Sequence, residues 1–388
     1  MRNRNICFIV LFSLLLVTPA IVSFFRSDND EVNIENRKSV EKPVFATDTM
    51  ENATIKQKVA CHVNGLKNYC ADYNRYYEDH FVFRNQMTKC YMAAKMRLGT
   101  GTMGKSIMVG EDGWYFLGEF YSNIVSESMG YRPFSSDDMD EIDRNVLQCK
   151  SFCDSLNIPL IFVIAPNKMS IYYEYFPYQA ERGASRYDQV NELLLNKEVD
   201  YIDLKSLLLS NKQGGKPLYR KIDTHWNFRG AFIAYSSIMN KFISYCPNMR
   251  LMTDSMYVKE DAMMYGDLTT MMTMPETMEN TEIFYPICQS TLVEVPTQRE
   301  CDGLQYVKRS TTSDAKGKML IFGDSFGCVL FHYFATSCHE TIFYQSIGDV
   351  CFDKEVVLRE KPDCILVEVC ERELEALCSV FGEHQYCE

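Results

Sequence analysis

The sequence predicts an α/β fold built around a mostly parallel sheet. Short, wholly apolar segments alternate with segments of helical periodicity from about residue 135 onwards, and this βαβ order is typical of parallel strands joined by right-handed crossovers. The apolar segment 319–322 stops abruptly at Gly323 and Asp324, which indicates a buried central strand followed by a turn. The length of 388 residues, 46% of them hydrophobic, suffices for one large domain.

The chain divides into three regions. Arg2 and Arg4 precede an apolar run at residues 6–25, which is long enough to span a bilayer with its basic flank in the cytoplasm. A cleaved signal peptide is the alternative for residues 1–27, but no A-x-A site closes the run, so we favour an uncleaved anchor. Residues 28–56 are polar and charged and predict a linker, and residues 57–388 predict the folded domain, exported in both cases.

The elements of this domain follow from the hydrophobic periodicity. A helical segment rich in tyrosine and phenylalanine comes first, at residues 57–98, and the turn signal Glu111–Gly113 then joins the two strands of a hairpin. Methionines cluster between residues 251 and 313, where the pattern weakens, and core filling explains them most simply. The remaining predicted helices are 137–156, 185–195 and 229–245, and the remaining strands are 160–165, 201–203, 319–322, 341–345 and 364–369.

Ser325 lies where a predicted strand turns into a helix. Four apolar residues between positions 328 and 334 follow at helical spacing, so we expect the serine hydroxyl at the carboxyl edge of the sheet. Open α/β sheets bind ligands at that edge, and the first amides of a helix stabilise negative charge. Gly323 permits the tight turn. The alternative is that Asp324 or Ser325 is an ordinary N-cap.

A second polar cluster, KIDTHWNFRG at residues 221–230, contains Asp223 and His225. Positions i and i+2 of an extended or turning segment project to the same side, so the carboxylate can hold the imidazole in one tautomer. A serine nucleophile needs such a base, and the base needs an orienting acceptor. Of the six histidines, the others are less suitable; His332 lies about 10 Å from Ser325 along a helix. A helix N-terminus with incidental side chains is the alternative interpretation.

Together, the two clusters resemble the SGNH hydrolase superfamily. In most of that superfamily the serine block comes first and Asp-x-x-His comes last, whereas here D-x-H precedes G-D-S. This permuted order resembles the alginate O-acetyltransferase branch, the AlgJ/AlgX-like proteins, with their D-x-H-W…G-D-S-[FY] layout. The resemblance covers residues 76–374 and includes EDGWYFLGE at 111–119, IAPNKMSIYYEYFP at 164–177, YIDL at 201–204, YGDL at 265–268 and PDCILVEVCER at 362–372.

The resemblance implies an SGNH hydrolase-like three-layer α/β/α sandwich and an O-acetyltransferase acting on an exopolysaccharide or another surface glycan. Ser325 would attack the acyl donor, His225 would be the general base, and Asp223 would orient His225. Residues 57–388 would form the catalytic domain, in the periplasm and anchored to the inner membrane. The resemblance also implies a multipass membrane acyltransferase as a partner that supplies acetyl groups.

Four further residues are candidates for substrate or oxyanion binding. Asn167 would donate to an oxyanion and Lys168 would hold a substrate carboxylate or phosphate, because both directly follow a strand that ends at the same sheet edge as the serine. An ordinary turn explains these two residues equally well. Gly323 and Trp226 complete the set. The backbone N–H of Ser325 is the safer oxyanion donor.

Composition argues against several other functions. The net charge of −12 argues against nucleic-acid binding. Histidine and cysteine never cluster at zinc-site spacings, so we expect no structural metal, and no cofactor is implied. Glu368 and Glu371, near the end of the last strand, are expected to be solvated or paired and not catalytic.

Two alternatives to the transferase stay open. An acetyl esterase would use the same three side chains with water as the acceptor, because those residues do not distinguish water from a sugar hydroxyl. A non-catalytic scaffold would keep the fold to bind glycan or partner proteins. Substitution of Ser325 by alanine would leave glycan acetylation unchanged only in the case of the scaffold.

Overall fold

The computed structural model describes most of the chain. The described residues are 2–25, 40, 42–44, 55–84, 86–87, 90–91, 94, 106–178, 180–212, 215–272, 274, 276–287, 293–295, 299–300, 305–312, 315–345 and 352–378. The predicted linker, residues 28–56, and the end of the first helical segment, residues 95–98, fall largely outside them. The chain separates into two compact units, Met1–Gly101 with Thr269–Glu276 and Thr102–Leu268 with Thr277–Glu388.

The first unit contains two long helices. Helix α1 is Arg2–Phe25, with Pro19 inside it, and helix α2 is Ile55–Asp79. Of the helices in the described ranges, none combines the length and the hydropathy needed to cross a bilayer.

The second unit is organised around an eight-stranded sheet within the described residues. Five of its strands, β4, β3, β12, β10 and β11 in spatial order, are parallel, and three further strands, β9, β7 and β8, extend one side in antiparallel fashion. The prediction of a mostly parallel sheet is therefore confirmed. The strands are β3 (Leu160–Ala165), β4 (Asp200–Ile202), β7 (Val293–Val295), β8 (Arg299–Glu300), β9 (Gln305–Thr311), β10 (Lys318–Gly323), β11 (Glu340–Gln345) and β12 (Cys364–Cys370).

Helices cover both faces of this sheet, which gives three layers. Capping boxes start two of them, with Ser135 paired to Asp138 and Ser185 paired to Asp188. Asn227 caps a third, and its side chain accepts from the Gly230 amide. The helices of this unit are α3 (Ile124–Ser128), α4 (Ser136–Ser155), α5 (Lys168–Ile171), α6 (Arg186–Leu195), α7 (Leu204–Asn211), α8 (Phe228–Tyr245), α10 (Gly327–Ser337) and α11 (Lys354–Glu360); α9 (Asp267–Met271) crosses the boundary between the units.

The hydrophobic core lies on both sides of the parallel strands. Alternate residues of β12 point to opposite faces, so Leu366 joins the cluster that contains α8 and α10 while Val367 joins the cluster that contains α4 and α6. Strands β3 and β12 are buried at every position because both faces are covered. Burial on both faces explains why these segments have continuous apolar sequences.

Two hairpins stand apart from the central sheet. Strands β1 (Ile107–Val109) and β2 (Tyr115–Leu117) pair antiparallel, as the turn signal between them predicts. Strands β5 (Tyr257–Tyr265) and β6 (Met278–Pro286) form a longer ribbon in the region where the sequence pattern was weak. Glu279 of β6 accepts a hydrogen bond from the Lys221 amide at 2.7 Å. This ribbon therefore contacts the segment that carries Asp223 and His225.

Candidate active site

The turn after β10 is held by Asp324 and not by Ser325. The Asp324 Oδ1 atom accepts from the Phe326 amide at 2.9 Å, and its Oδ2 atom accepts from the Cys370 amide at 2.6 Å. The second bond ties the turn to the end of the neighbouring strand β12. Asp324 therefore fixes the turn, while the N-cap position of the following helix falls on Phe326 without a side-chain capping bond, so the interpretation of Asp324 or Ser325 as an ordinary N-cap is wrong.

Gly323 is required at this turn by a close approach and not by its φ angle. Its φ is not among the positive values in the chain, so the expectation that its conformational freedom permits the turn is wrong. A Cβ atom at this position would lie 2.7 Å from Glu368 Oε2 and 3.3 Å from Glu368 Cβ. A side chain there would have to displace the Glu368 carboxylate, which accepts from the Asp324 amide.

The structure brings Ser325, His225 and Asp223 together. The Ser325 Oγ atom lies 2.7 Å from His225 Nε2, and His225 Nδ1 lies 2.8 Å from Asp223 Oδ1. The His225 amide also donates to Asp223 Oδ1 at 3.0 Å. With Nδ1–H donated to the carboxylate, Nε2 is left as the acceptor for the serine proton. This is the geometry that a serine nucleophile and its base require.

The Asp223 carboxylate is buried and fully hydrogen-bonded. Its second oxygen, Oδ2, accepts from Arg220 Nη1 at 2.8 Å and from the Asp267 amide at 3.2 Å. Burial alone would raise the pKa of Asp223, but the His225 hydrogen bond and the charges of His225 and Arg220 hold this pKa well below its usual range. The carboxylate therefore stays ionised, as an orienting acceptor for His225 must.

Lys168 is buried, and its ammonium group is held by backbone carbonyl oxygens. Its side chain is 4% exposed, and Nζ donates to the carbonyl oxygens of Arg220 at 3.1 Å, Lys221 at 3.0 Å and Asp223 at 2.7 Å. Burial lowers the pKa of Lys168 to about 7. Because the three donors of an ammonium group match these three acceptors, the predicted role in holding a substrate anion is wrong, and Lys168 instead shapes the loop that carries Asp223.

Trp226 also lies beneath the site. It is 1% exposed, its indole Nε1–H donates to the Phe326 carbonyl at 3.2 Å, and its ring meets the Phe326 ring edge-on with centroids 5.2 Å apart. The prediction that Trp226 contacts substrate or an oxyanion is therefore wrong. Its contacts join the base-bearing segment to the residue that follows Ser325.

Asn167 is at the carboxyl end of β3, as predicted, and is 3% exposed. Its amide N–H donates to Glu371 Oε2 at 2.7 Å, while its side-chain Oδ1 has no hydrogen-bond partner among the described residues. Register places Ala165 of β3 opposite Cys370 of β12. Asn167 is thus at the same sheet edge as Ser325, with the end of β12 between them.

The backbone amide of Ser325 is the donor best placed for an oxyanion. No acceptor within the described part of the chain takes a hydrogen bond from it. This amide belongs to the nucleophilic residue itself. It lies two residues before the start of helix α10, whose first amides carry partial positive charge. An amide in this position can stabilise the negative oxygen of a tetrahedral intermediate.

Glu368 and Glu371 are both buried and hydrogen-bonded, so of the two expected alternatives, solvated or paired, the solvated one is wrong. Glu371 Oε1 accepts from Ser170 Oγ at 2.7 Å, and Glu368 Oε2 accepts from the Asp324 amide at 3.2 Å. Burial, followed by the nearby Asp324 charge, raises the pKa of Glu368 well above its ordinary value. This shift favours the protonated form of Glu368, which lies beneath the serine turn.

One group of side chains in the described residues has the spacing of a metal site. Ligand atoms of Asp223, His225 and Asp267 lie within 4.8 Å of one another. The Asp267 carboxylate accepts from the Thr224 amide at 2.8 Å and lies 3.6 Å from His225 Nδ1. His225 is hydrogen-bonded to Asp223, and Thr224 donates to both oxygens of Asp267, so these ligand atoms already have partners. The absence of a metal requirement stays a prediction.

Three residues of the site were not anticipated, namely Arg220, Asp267 and Arg372. Each lies in or beside a stretch already noted, because Arg220 directly precedes KIDTHW, Asp267 belongs to YGDL and Arg372 ends PDCILVEVCER. The only sequence signal for these three residues was therefore that they lie in or beside stretches typical of the family. Nothing in their local sequence indicates which ones meet in the fold.

The comparisons with known proteins agree with this architecture. A search of curated proteins finds no match. Among solved structures, a DHHW family protein from Eubacterium siraeum aligns with a TM-score of 0.55 at 14% identity, over 74% of this chain and 98% of that one. Bacillus cereus PatB1 aligns with a TM-score of 0.53 at 15% identity, over 69% and 96%. At these identities the likeness concerns the fold.

A family model matches the sequence itself. Residues 107–315, more than half of the chain, match the model described as the SGNH hydrolase-like domain of acetyltransferase AlgX. The matched region includes Asp223 and His225 and ends before Ser325. The chain therefore belongs to the AlgJ/AlgX-like family, whose model describes an SGNH hydrolase-like acetyltransferase domain.

Proposed function

We propose that this protein is an O-acetyltransferase that moves an acetyl group through an ester on Ser325 to a hydroxyl group of a glycan. The observation that carries the proposal is the continuous hydrogen-bond chain from Ser325 Oγ through His225 to Asp223. Family membership supports acetyl transfer over other acyl chemistry.

In the first step, the serine oxygen attacks the carbonyl carbon of the acetyl donor. His225 Nε2 takes the hydroxyl proton as the new C–O bond forms, and the Ser325 amide donates to the oxyanion. The bond to the leaving group then breaks, and His225 returns the proton to that group. Asp223 stabilises the imidazolium while it exists and is not itself protonated.

In the second step, a sugar hydroxyl attacks the acetyl-serine. His225 removes the hydroxyl proton, the oxyanion is stabilised again by the Ser325 amide, and the C–O bond to the serine breaks. The proton then returns from His225 to Ser325 Oγ. The products are an acetylated sugar and free enzyme, so each cycle needs one donor and one acceptor.

A cleft beside the base-bearing segment supports a hydroxyl-rich acceptor. It has a volume of about 340 Å³, within the usual range for small-ligand sites of about 300–1,000 Å³. Arg220, which contacts Asp223, forms part of its wall, and the exposed side chain of Asn280 supplies both a donor and an acceptor. Such mixed groups suit the hydroxyls of a sugar.

The partner and the location belong to the same proposal. In it, residues 1–27 tether the domain to the inner membrane, the domain works in the periplasm, and a multipass membrane acyltransferase supplies the acetyl groups. The resemblance of the chain to alginate O-acetyltransferases supports this arrangement, as do Arg2 and Arg4 before the apolar run. Protease protection of the domain in intact cells, lost when the outer membrane is opened, tests the location.

The test of the function uses p-nitrophenyl acetate as donor and a panel of neutral and uronate oligosaccharides as acceptors. We expect wild type to produce acetylated oligosaccharide and Ser325→Ala to produce none. Acetate release without any acetylated oligosaccharide would favour the esterase. Equal behaviour of wild type and Ser325→Ala would favour the scaffold.

A further inference from the structure

The two steps above leave one small cavity at the carboxyl edge of the sheet without an assigned role. Its volume is about 20 Å³, slightly more than the ~10–15 Å³ that one water-sized group needs. It therefore has room for a very short group and none for a chain. Its apolar wall comes from Phe116, Leu117, Ile124 and Met169, and its polar wall comes from Asn167, Lys168, Thr224 and Arg372.

Two polar side chains line the same cavity without hydrogen-bond partners in the described part of the chain. Asn167 is 3% exposed and its Oδ1 atom is unpaired. The Arg372 side chain is 14% exposed, and its nearest carboxylate, that of Glu373, lies 3.8 Å away, beyond hydrogen-bond distance. Burying the Asn167 oxygen unpaired is costly. A ligand that brings a carbonyl oxygen would satisfy the guanidinium.

The cavity is lined by a direct neighbour of the base, and one of its lining residues contacts the residue that follows the nucleophile. Thr224, which lines it, directly precedes His225, and its hydroxyl lies 3.1 Å from His225 Nδ1. The Arg372 guanidinium lies 5.3 Å from the centre of the Phe326 ring. Phe326 directly follows Ser325 in sequence. Strand β12, which ends just before Arg372, is the direct neighbour of β10.

We propose that this cavity is the acyl pocket of the transferase and that it restricts the donor to acetyl. The inference rests on the proposed function and names the feature that selects its acyl group. Arg372 donates to the acyl carbonyl oxygen, and the methyl group packs against Ile124 and Met169. A butyryl chain carries two further carbons, for which the cavity has no space.

The experiment compares initial rates with p-nitrophenyl acetate and p-nitrophenyl butyrate, using the full chain. Wild type is measured beside Met169→Ala and Ile124→Ala, which widen the cavity, and beside Met239→Ala as the matched control. Met239 is fully buried in α8 and does not line the cavity. The readout is the ratio of butyrate to acetate rates, because a ratio is unaffected by partial loss of folded protein.

We expect wild type and Met239→Ala to prefer acetate equally, and Met169→Ala to raise the butyrate-to-acetate ratio about tenfold or more, since one or two methylenes in an apolar pocket carry discrimination of that size. An unchanged ratio in both widened variants would overturn the pocket while leaving the proposed function intact. If release from both esters is the same in Ser325→Ala as in wild type, the proposed function fails and the pocket with it. Met169→Val and Ile124→Val replace the alanine variants if thermal melting shows that those do not fold.

Discussion

At the scale of single residues, the candidate site depends on one carboxylate that is satisfied on both sides. Asp223 accepts from His225 with one oxygen and from Arg220 and the Asp267 amide with the other. This leaves the carboxylate no freedom to rotate away from the imidazole. His225 is thereby fixed in the tautomer whose Nε2 faces Ser325.

Asp223→Asn tests this function of the carboxylate. The amide has nearly the same shape, but its NH2 group cannot accept the Nδ1–H and it carries no charge to stabilise the imidazolium. We expect kcat for acetyl release to fall by a factor on the order of 10³ to 10⁴, with a melting temperature close to that of wild type. A loss of less than about tenfold in folded protein would exclude Asp223 as the orienting residue.

Glu368 provides a pH-dependent test of the turn. Its pKa in the folded protein is raised well above the ordinary 4.5. At a pH between the unfolded and the folded pKa, the folded state therefore holds a proton that the unfolded state has lost. This contribution to stability is complete below the unfolded pKa and is lost as pH rises through the folded pKa. The slope is at most about 1.4 kcal/mol per pH unit for one group.

We therefore expect Glu368→Gln to remove part of the decline in stability with rising pH. Urea unfolding of both proteins at about pH 5 and about pH 8 measures it. The unfolding free energy of the variant, relative to that of wild type, should be higher at the higher pH than at the lower pH. A difference in unfolding free energy that stays constant, or that moves in the opposite direction, would show that Glu368 is ionised in the folded state.

At the scale of elements, the site is formed by loops that end parallel strands. The strand–turn–helix unit around Ser325 could be predicted because β10 is uniformly apolar and α10 has helical spacing. The same holds for the buried strands β3 and β12. The proximity of Asp223 and His225 to each other was also predictable, because both lie in one short segment.

Other parts of the site could not be predicted from sequence, because they depend on contacts between distant segments. Lys168 looked like a ligand-binding residue until its three acceptors were located 52 or more positions along the chain. Trp226 is buried by the residue after Ser325, and Gly323 is dictated by Glu368 on the adjacent strand. Local patterns identify such residues as unusual but do not identify what they contact.

Lys168→Met tests how far helix α5 supports the base-bearing loop. The substitution leaves three buried carbonyl oxygens without their donor, so we expect a loss of unfolding free energy of about 2–5 kcal/mol and a clear fall in kcat. Lys150→Met is the matched control, since Lys150 makes an exposed i,i+4 pair with Asp154 and should change stability by less than about 0.5 kcal/mol. Equal, small effects of both substitutions would contradict the structural assignment of Lys168.

At the scale of the whole molecule, the catalytic unit joins the sheet to the β5–β6 ribbon. Arg220 contacts Asp223 at 2.8 Å and Glu279 of β6 at 3.1 Å, and its guanidinium also donates to the Tyr265 carbonyl. The ribbon therefore forms one wall of the cleft that we assign to the acceptor. Donor and acceptor would then approach the serine from different sides.

Asn280→Ala tests the acceptor cleft, because Asn280 is an exposed residue of β6 that lines it and makes no contact with the three reacting side chains. We expect KM for the oligosaccharide to rise, by about threefold to tenfold for one lost hydrogen bond, with release of p-nitrophenol in the absence of acceptor unchanged. Glu260→Ala, on β5 and outside the cleft, serves as the control. An unchanged acceptor KM would place the glycan elsewhere.

In the proposed reaction, Ser325 carries the acetyl group between donor and glycan. The most direct measurement is mass spectrometry of the protein shortly after mixing with an activated acetyl ester, followed by peptide mapping and by addition of the oligosaccharide acceptor. We predict an added acetyl group on the peptide that contains Ser325, its absence in Ser325→Ala, and its transfer to the oligosaccharide. An acetyl group on another residue, or the same acetylation of wild type and Ser325→Ala, would contradict the account.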